Sequence, residues 1–125
     1  MLFVSFLFQF SYVIIYLQKG AGIMVDCKKL DDGLYFTFYG EVDESCAVKI
    51  RSFMDEMLEK YPTKKVFMDM EKLTFMDSTG IGILLGRYKK IVSKNSIAYI
   101  KNPSKAIDRL LTLSGIYQLM PKVEI

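Results

Sequence analysis

The sequence predicts a single α/β domain with a mixed sheet of four or five strands and three to four helices. Three observations carry this. From Met24 onward, short aromatic and β-branched runs alternate with segments whose apolar residues recur at helical spacing. The run "KKVFMDM" is apolar almost without a break, as in a strand that is central or covered on both faces. Strand–helix–strand succession, finally, requires parallel neighbours in the sheet. The chain has 125 residues, enough for one domain whose core needs no staples.

Each element has its own signal. "MVDCKKL" (24–30) is a strand of mixed alternation, and Asp31-Asp32-Gly33 is a turn, because glycine tolerates the backbone that tight turns need. "LYFTFYGEV" (34–42) is the strand hairpinned to it. Asp43 or Ser45 then caps a helix that carries Ala47, Ile50, Phe53 or Met54, and Met57 on one face and ends at Tyr61-Pro62. After "KKVFMDM", the stretch "EKLTFM" reads as a short connection. A second helix spans about Ser78 to Ser93, with Ile81, Leu84, Leu85, Tyr88, Ile91 and Val92 as its core stripe. "SIAYIK" is a fourth strand. Asn102 caps a third helix, with Pro103 at its first position, and glycine suits the stop at Ser114-Gly115. The tail "YQLMPKVEI" ends in a last short strand. The expected core holds Phe36, Phe38, Ile50, Phe53, Val66, Met68, Ile81, Leu84, Leu85, Ile97, Tyr99, Ile107 and Leu110.

The start of the chain differs. Residues 1–18 carry no charge. Their apolar run of about 17 residues is the lower limit for crossing a bilayer. No basic segment precedes it, so it is a poor signal peptide. Two readings stand. The segment is a membrane anchor, or it is upstream sequence and translation begins at Met24. Lys19-Gly20-Ala21 can be encoded by a purine-rich stretch of ribosome-binding type, at a suitable distance before Met24. Either way residues 1–23 are expected to be an apolar extension outside the core, with the domain at 24–125.

Composition narrows the chemistry. The net charge of +3 is spread along the chain, without the concentrated basic stripe of a nucleic-acid binder. Lys28-Lys29, Lys64-Lys65 and Lys89-Lys90 read as solvated faces. With no histidine, a Ser-His-Asp or Cys-His hydrolase, a phosphohistidine relay and most zinc sites are excluded. Cys27 and Cys46 lie far apart and form no C-x-x-C, which fits a reducing cytoplasm. "GIGILLG" is neither a P-loop nor a dinucleotide fingerprint, and no cofactor is expected. Asp43-Glu44 is an adjacent acid pair of the kind that caps a helix, and there is no second acid cluster with which to hold a metal.

Asp77-Ser78-Thr79-Gly80 stands where an apolar run hands over to a helix. The first amides of a helix have no intrahelical partner. One reading is an N-cap and tight turn, worth about 1 kcal/mol. The other is an anion site, where a hydroxyl carries a phosphoryl group against free amides and a favourable dipole. Gly80, Gly82 and Gly86 each cost the helix about 1 kcal/mol relative to alanine. They clear side chains from a helix face, so that the sheet or another protein can approach closely.

"FMDSTGIGILLGRYKKI" is similar to the signature of bacterial anti-sigma factor antagonists of the STAS domain family, and especially of its sporulation members. "YGEVD" (39–43) and "LSGIYQLM" (113–120) resemble two further segments of that family, and the similarity runs over Met24–Ile125. The resemblance implies a binding module and not an enzyme. Its partner would be an anti-sigma factor that is also a serine kinase, and docking would release a sigma factor. The serine after the aspartate is the family's phosphoacceptor, here Ser78. Asp43, Asp77, Ser78, Thr79, Gly80 and Gly82 would meet the partner, and a separate serine phosphatase would reset the switch. Neither metal, cofactor nor nucleic acid is implied, and the place of action is the cytoplasm unless residues 1–18 are an anchor. Two other readings remain: a membrane-linked STAS regulatory domain, or a small nucleotide-binding domain with a phosphate cradle at Ser78.

Overall fold

The computed structural model describes residues 2–7, 12–20 and 22–124. Strands β1 (Leu2–Leu7), β2 (Tyr12–Lys19), β3 (Gly22–Leu30) and β4 (Gly33–Phe38) run antiparallel in succession. β4 then pairs in parallel with β6 (Lys65–Asp69), β6 with β8 (Ile97–Lys101), and β8 with β9 (Lys122–Val123). These form one seven-stranded sheet in the order β1-β2-β3-β4-β6-β8-β9. Five of its strands are the sheet expected from Met24 onward, and β1 and β2 extend it. A second, two-stranded parallel sheet joins β5 (Gly40–Val42) to β7 (Leu73–Met76). The helices are α1 (Ala47–Lys60), α2 (Ser78–Ser93) and α3 (Lys105–Ser114), with a 3-10 turn at Ile116–Gln118.

One face of the large sheet makes the core. Val25, Cys27, Leu34, Phe36, Phe38, Val66, Met68, Ala98 and Ile100 are buried there. Ala47, Ile50, Phe53, Met54 and Met57 of α1, Ile83, Leu84 and Ile91 of α2, and Ile107 and Leu111 of α3 complete the same cluster. Alternation along the strands sends the intervening residues to the other face. There Tyr35 stacks on Phe67 at 4.5 Å and Phe67 on Tyr99 at 5.4 Å. Lys101 lays its ammonium 4.9 Å from the Tyr35 ring centre.

Several sequence expectations are corrected. Residues 34–42 are two strands, because Gly40 at φ 67° turns the chain and its amide bonds to the Lys72 carbonyl at 3.0 Å. "LTFM" is a strand and not part of a connection. Neither Asp43 nor Ser45 caps α1, which starts after Cys46. Ser104, not Asn102, caps α3 and accepts from the Ile107 amide at 3.3 Å. Asn102 instead takes a left-handed backbone, φ 55°. In β8 the phase puts Ala98 and Ile100 inward, so Ile97 is exposed and Tyr99 lies half-buried on the opposite face. The stripe of α2 is rotated. Gly80, Ile83, Leu84, Arg87 and Ile91 face inward, Ile81 and Tyr88 are half-buried, and Leu85 and Val92 are exposed. Leu110 is also half-buried.

The upstream segment is corrected as well. Ile15 and Leu17 are buried and belong to the core cluster, against the expectation that residues 1–23 stand outside it. The register pairs Ile15 with Cys27 and Leu17 with Val25, which sends both side chains to the core face. Ile14 is half-buried. Phe8 and Phe10 lie outside the described residues. Among the described residues no helix is long and apolar enough to cross a membrane.

Candidate functional site

β5 and β7 run in parallel with Val42 opposite Met76, so the next residues, Asp43 and Asp77, emerge side by side. Each strand then feeds a helix, α1 or α2. The two aspartates make the same local bond. Asp43 Oδ1 accepts the Ser45 amide at 2.9 Å, and Asp77 Oδ1 accepts the Thr79 amide at 2.9 Å. At Asp77 this bond satisfies a donor at the helix start, whereas at Asp43 it holds the turn that precedes α1. Asp77 is therefore the N-cap of α2, and Ser78 is its first residue.

The two adjacent hydroxyls differ in exposure. Ser78 is exposed, whereas Thr79 is half-buried. The Thr79 hydroxyl donates to Glu44 Oε2 at 3.1 Å and ties the start of α2 to the loop before α1. The glycines differ too. Gly80 is buried, and an added Cβ would collide with the Met76 side chain. It answers to internal packing and offers no surface to a partner. Gly82 is exposed, and a Cβ there would meet nothing within 4 Å. A Cβ at Gly86, which is half-buried, would also meet nothing within 4 Å. Ser78, Gly82, Leu85 and Lys89 share one face by their spacing of three and four. That face carries an exposed Leu85 and no bulk at Gly82. Phe75, in β7 and opposite Glu41, is 47% exposed.

One buried contact positions the segment that carries Asp43. Tyr39, just before Gly40, donates its hydroxyl to Asp26 Oδ2 at 2.5 Å. Asp26 is 1% exposed, and burial raises its carboxyl above the ordinary value of 3.8, while the Tyr39 bond and Lys28 oppose the shift. Burial and Asp26 also push the Tyr39 hydroxyl upward.

Asp43, Asp77, Ser78, Thr79 and Gly82 thus gather at one end of the small sheet, while Gly80 turns inward. Sequence reasoning missed Glu44 and Phe75 as parts of this place. A signal existed in the repeated pattern apolar–Asp–x–hydroxyl, Val42-Asp43-Glu44-Ser45 and Met76-Asp77-Ser78-Thr79.

An exposed Ser78 stands on a helix face without bulk at Gly82, beside Asp43, Glu44 and Asp77. The fold is a single α/β module with this surface at one end of its small sheet. Residues 24–124 match the STAS domain, and the chain belongs to that family. An anti-sigma F factor antagonist of Paenibacillus polymyxa is 34% identical over 82 residues, spanning 66% of this chain and 70% of the relative. The solved structure of the anti-sigma factor antagonist SpoIIAA in its unphosphorylated form superposes with a TM-score of 0.69 at 22% identity, covering 79% of this chain and 87% of that one. The Bacillus cell fate determinant SpoIIAA in the phosphorylated form gives 0.63 at 22% identity, over 79% and 90%. At that identity the two structures speak for the fold.

Proposed function

We propose that the chain is an anti-anti-sigma factor. It binds an anti-sigma factor that is also a serine kinase, so that a sigma factor is released, and phosphorylation of Ser78 switches it off. The observation that carries this reading is the exposed Ser78 hydroxyl at the first position of α2, on the face shared with Gly82 and Leu85. The 34% identical relative, named as an anti-sigma factor antagonist, supports it, as does the existence of SpoIIAA in a phosphorylated form.

The mechanism follows from charge. A phosphoserine carries roughly −1.5 to −2 charges at neutral pH. The dipole at the start of α2 favours that charge without refolding, while the Thr79 amide stays with Asp77. A partner surface built for a neutral hydroxyl does not, because an interfacial charge must be desolvated and paired. Asp43, Asp77, Thr79 and Gly82 belong to the same contact surface. The module acts in the cytoplasm and turns over no substrate itself. A separate serine phosphatase returns it to the binding form.

The test is incubation with the candidate anti-sigma kinases of its own genome and ATP, followed by peptide mapping, binding titration and thermal melts. Phosphate should appear on Ser78 and binding should fall. Ser78→Ala should bind and escape inactivation. Ser78→Asp should melt at or slightly above the wild-type temperature, because a carboxylate at a helix start contributes about 0.3–1 kcal/mol. It should nevertheless bind on the order of 10- to 100-fold more weakly. A Ser78→Asp chain that binds like wild type, or loses binding only by unfolding, sinks the electrostatic switch.

A further inference from the structure

We propose that Glu44 is a positioning residue that decides which of two neighbouring hydroxyls receives the phosphoryl group. This rests on the reading of Ser78 as the phosphoacceptor and deepens it. The observation is the Thr79 Oγ1–Glu44 Oε2 hydrogen bond, 3.1 Å long and bridging 35 residues of sequence. Ser78 and Thr79 are consecutive, both carry hydroxyls, and both belong to the first turn of α2. Both are aliphatic alcohols able to accept a phosphoryl group, the threonine being secondary and β-branched.

The structure separates them in three ways. Ser78 is exposed and Thr79 is half-buried. The Thr79 amide is held by Asp77 at 2.9 Å, which holds its backbone at the helix start. The Thr79 hydroxyl proton is committed to Glu44. In phosphoryl transfer the hydroxyl oxygen bonds to the γ-phosphorus of ATP. The bond from that phosphorus to the bridging oxygen breaks, ADP leaves, and the hydroxyl proton passes to a base on the kinase. For Thr79 this requires giving up the Glu44 bond. It also requires placing the anionic phosphoryl group on an oxygen 3.1 Å from the Glu44 carboxylate, a like-charge contact that is unfavourable at this range even at a surface, whereas Asp77, the chain neighbour of Ser78, turns its carboxylate to the Thr79 amide. Ser78 carries no such bond among the described hydrogen bonds, so its hydroxyl can turn toward the kinase. Because Glu44 is itself exposed, its replacement disturbs no core packing.

The experiment compares wild type, Glu44→Ala, Ser78→Ala and the double variant Ser78→Ala/Glu44→Ala. Each is treated with ATP and the anti-sigma kinase that phosphorylates the wild-type chain, and the phosphate is located by peptide mapping. Wild type should carry phosphate on Ser78 alone, and Ser78→Ala should carry none. Glu44→Ala should carry phosphate on both hydroxyls, with the Thr79 share raised on the order of tenfold, the scale of one like-charge contact at a surface dielectric. The double variant should be phosphorylated on Thr79. If wild type shows Ser78 phosphate but Thr79 stays bare in both Glu44→Ala variants, the selector role falls and the Ser78 reading stands. The selector also falls if Ser78→Ala alone is phosphorylated on Thr79, or if Glu44→Ala takes up no phosphate at all, since Glu44 would then serve kinase docking. Absence of phosphate on wild-type Ser78 overturns the Ser78 reading and the selector together.

Discussion

Gly80 and Gly82 stand two positions apart in α2 and answer to different constraints. At Gly80 an alanine methyl must displace Met76, so Gly80→Ala should destabilise by about 1–3 kcal/mol, the usual cost of overpacking. At Gly82 the space is open, and Gly82→Ala should stabilise the helix by up to about 1 kcal/mol. If the Ser78 face docks, that same methyl should weaken partner binding. Chemical denaturation and a binding titration on both variants check this. A Gly82→Ala chain that gains stability and keeps full affinity places the interface elsewhere. Asp26 makes a separate claim. Its folded-state carboxyl is raised by burial, so its contribution to stability is complete below the ordinary value of 3.8 and is lost as pH rises through the folded value. Asp26→Asn keeps an acceptor for Tyr39 and removes the buried charge. It should gain about 1 kcal/mol at neutral pH, the scale of one uncompensated buried polar group, and little near pH 4. Denaturant unfolding at the two pH values decides, and an equal effect at both refutes the assignment.

Helix α2 shows how an amphipathic pattern leaves its phase open. Ile81, Leu84, Leu85, Tyr88, Ile91 and Val92 form an apolar stripe on a helical wheel, yet the buried face is turned toward Gly80, Ile83 and Arg87. Two contacts turn it. The helix start sits against Met76, which only a glycine at position 80 permits. Arg87 reaches Asp55 of α1 at 2.8 Å, and Lys90 reaches the same carboxylate at 3.1 Å. Burial lowers the Arg87 pKa and Asp55 opposes the shift, so this charge is held inside by its partner. Two leucines then separate cleanly. Leu84→Ala should cost about 2–5 kcal/mol. Leu85→Ala, at an exposed position, should cost less than about 1 kcal/mol. Equal losses in denaturant unfolding would contradict the observed phase.

The seven-stranded sheet joins two parts of unequal standing. Residues 24–124 match the family, and β1 and β2 precede them. Ile15 and Leu17 nevertheless enter the core beside Cys27 and Val25. We propose that a chain beginning at Met24 keeps the fold, since β4, β6, β8 and β9, all of β3 but Gly22 and Ile23, and the three helices described lie within it. It should lose stability on the scale of about 1.5–3 kcal/mol for each buried aliphatic side chain removed. It should also bind the anti-sigma partner as the full chain does, because the Ser78 surface is untouched. Denaturant unfolding and a titration of the shortened chain test this. Failure of the shortened chain to fold would make the upstream strands part of the domain.

Much was legible because local chemistry encodes it. The Asp31–Gly33 turn, the α1 stripe from Ala47 to Met57, the span of α2 and the left-handed stop at Gly115, φ 78°, all depend on near neighbours in the chain. The start of α2 at the Asp77-Ser78 junction was readable for the same reason. What the sequence could not decide were choices made by distant residues. Whether "LTFM" is a strand depends on β5 lying beside it. Which residues of α2 face inward depends on Asp55 and Met76, and whether Ile15 is buried depends on the register of β2 against β3. The bond that distinguishes Thr79 from Ser78 reaches across 35 residues to Glu44. Propensity and periodicity act over one or two turns, so they specify elements. Pairing register and helix phase follow from burial and charge between segments that meet only when the chain has folded.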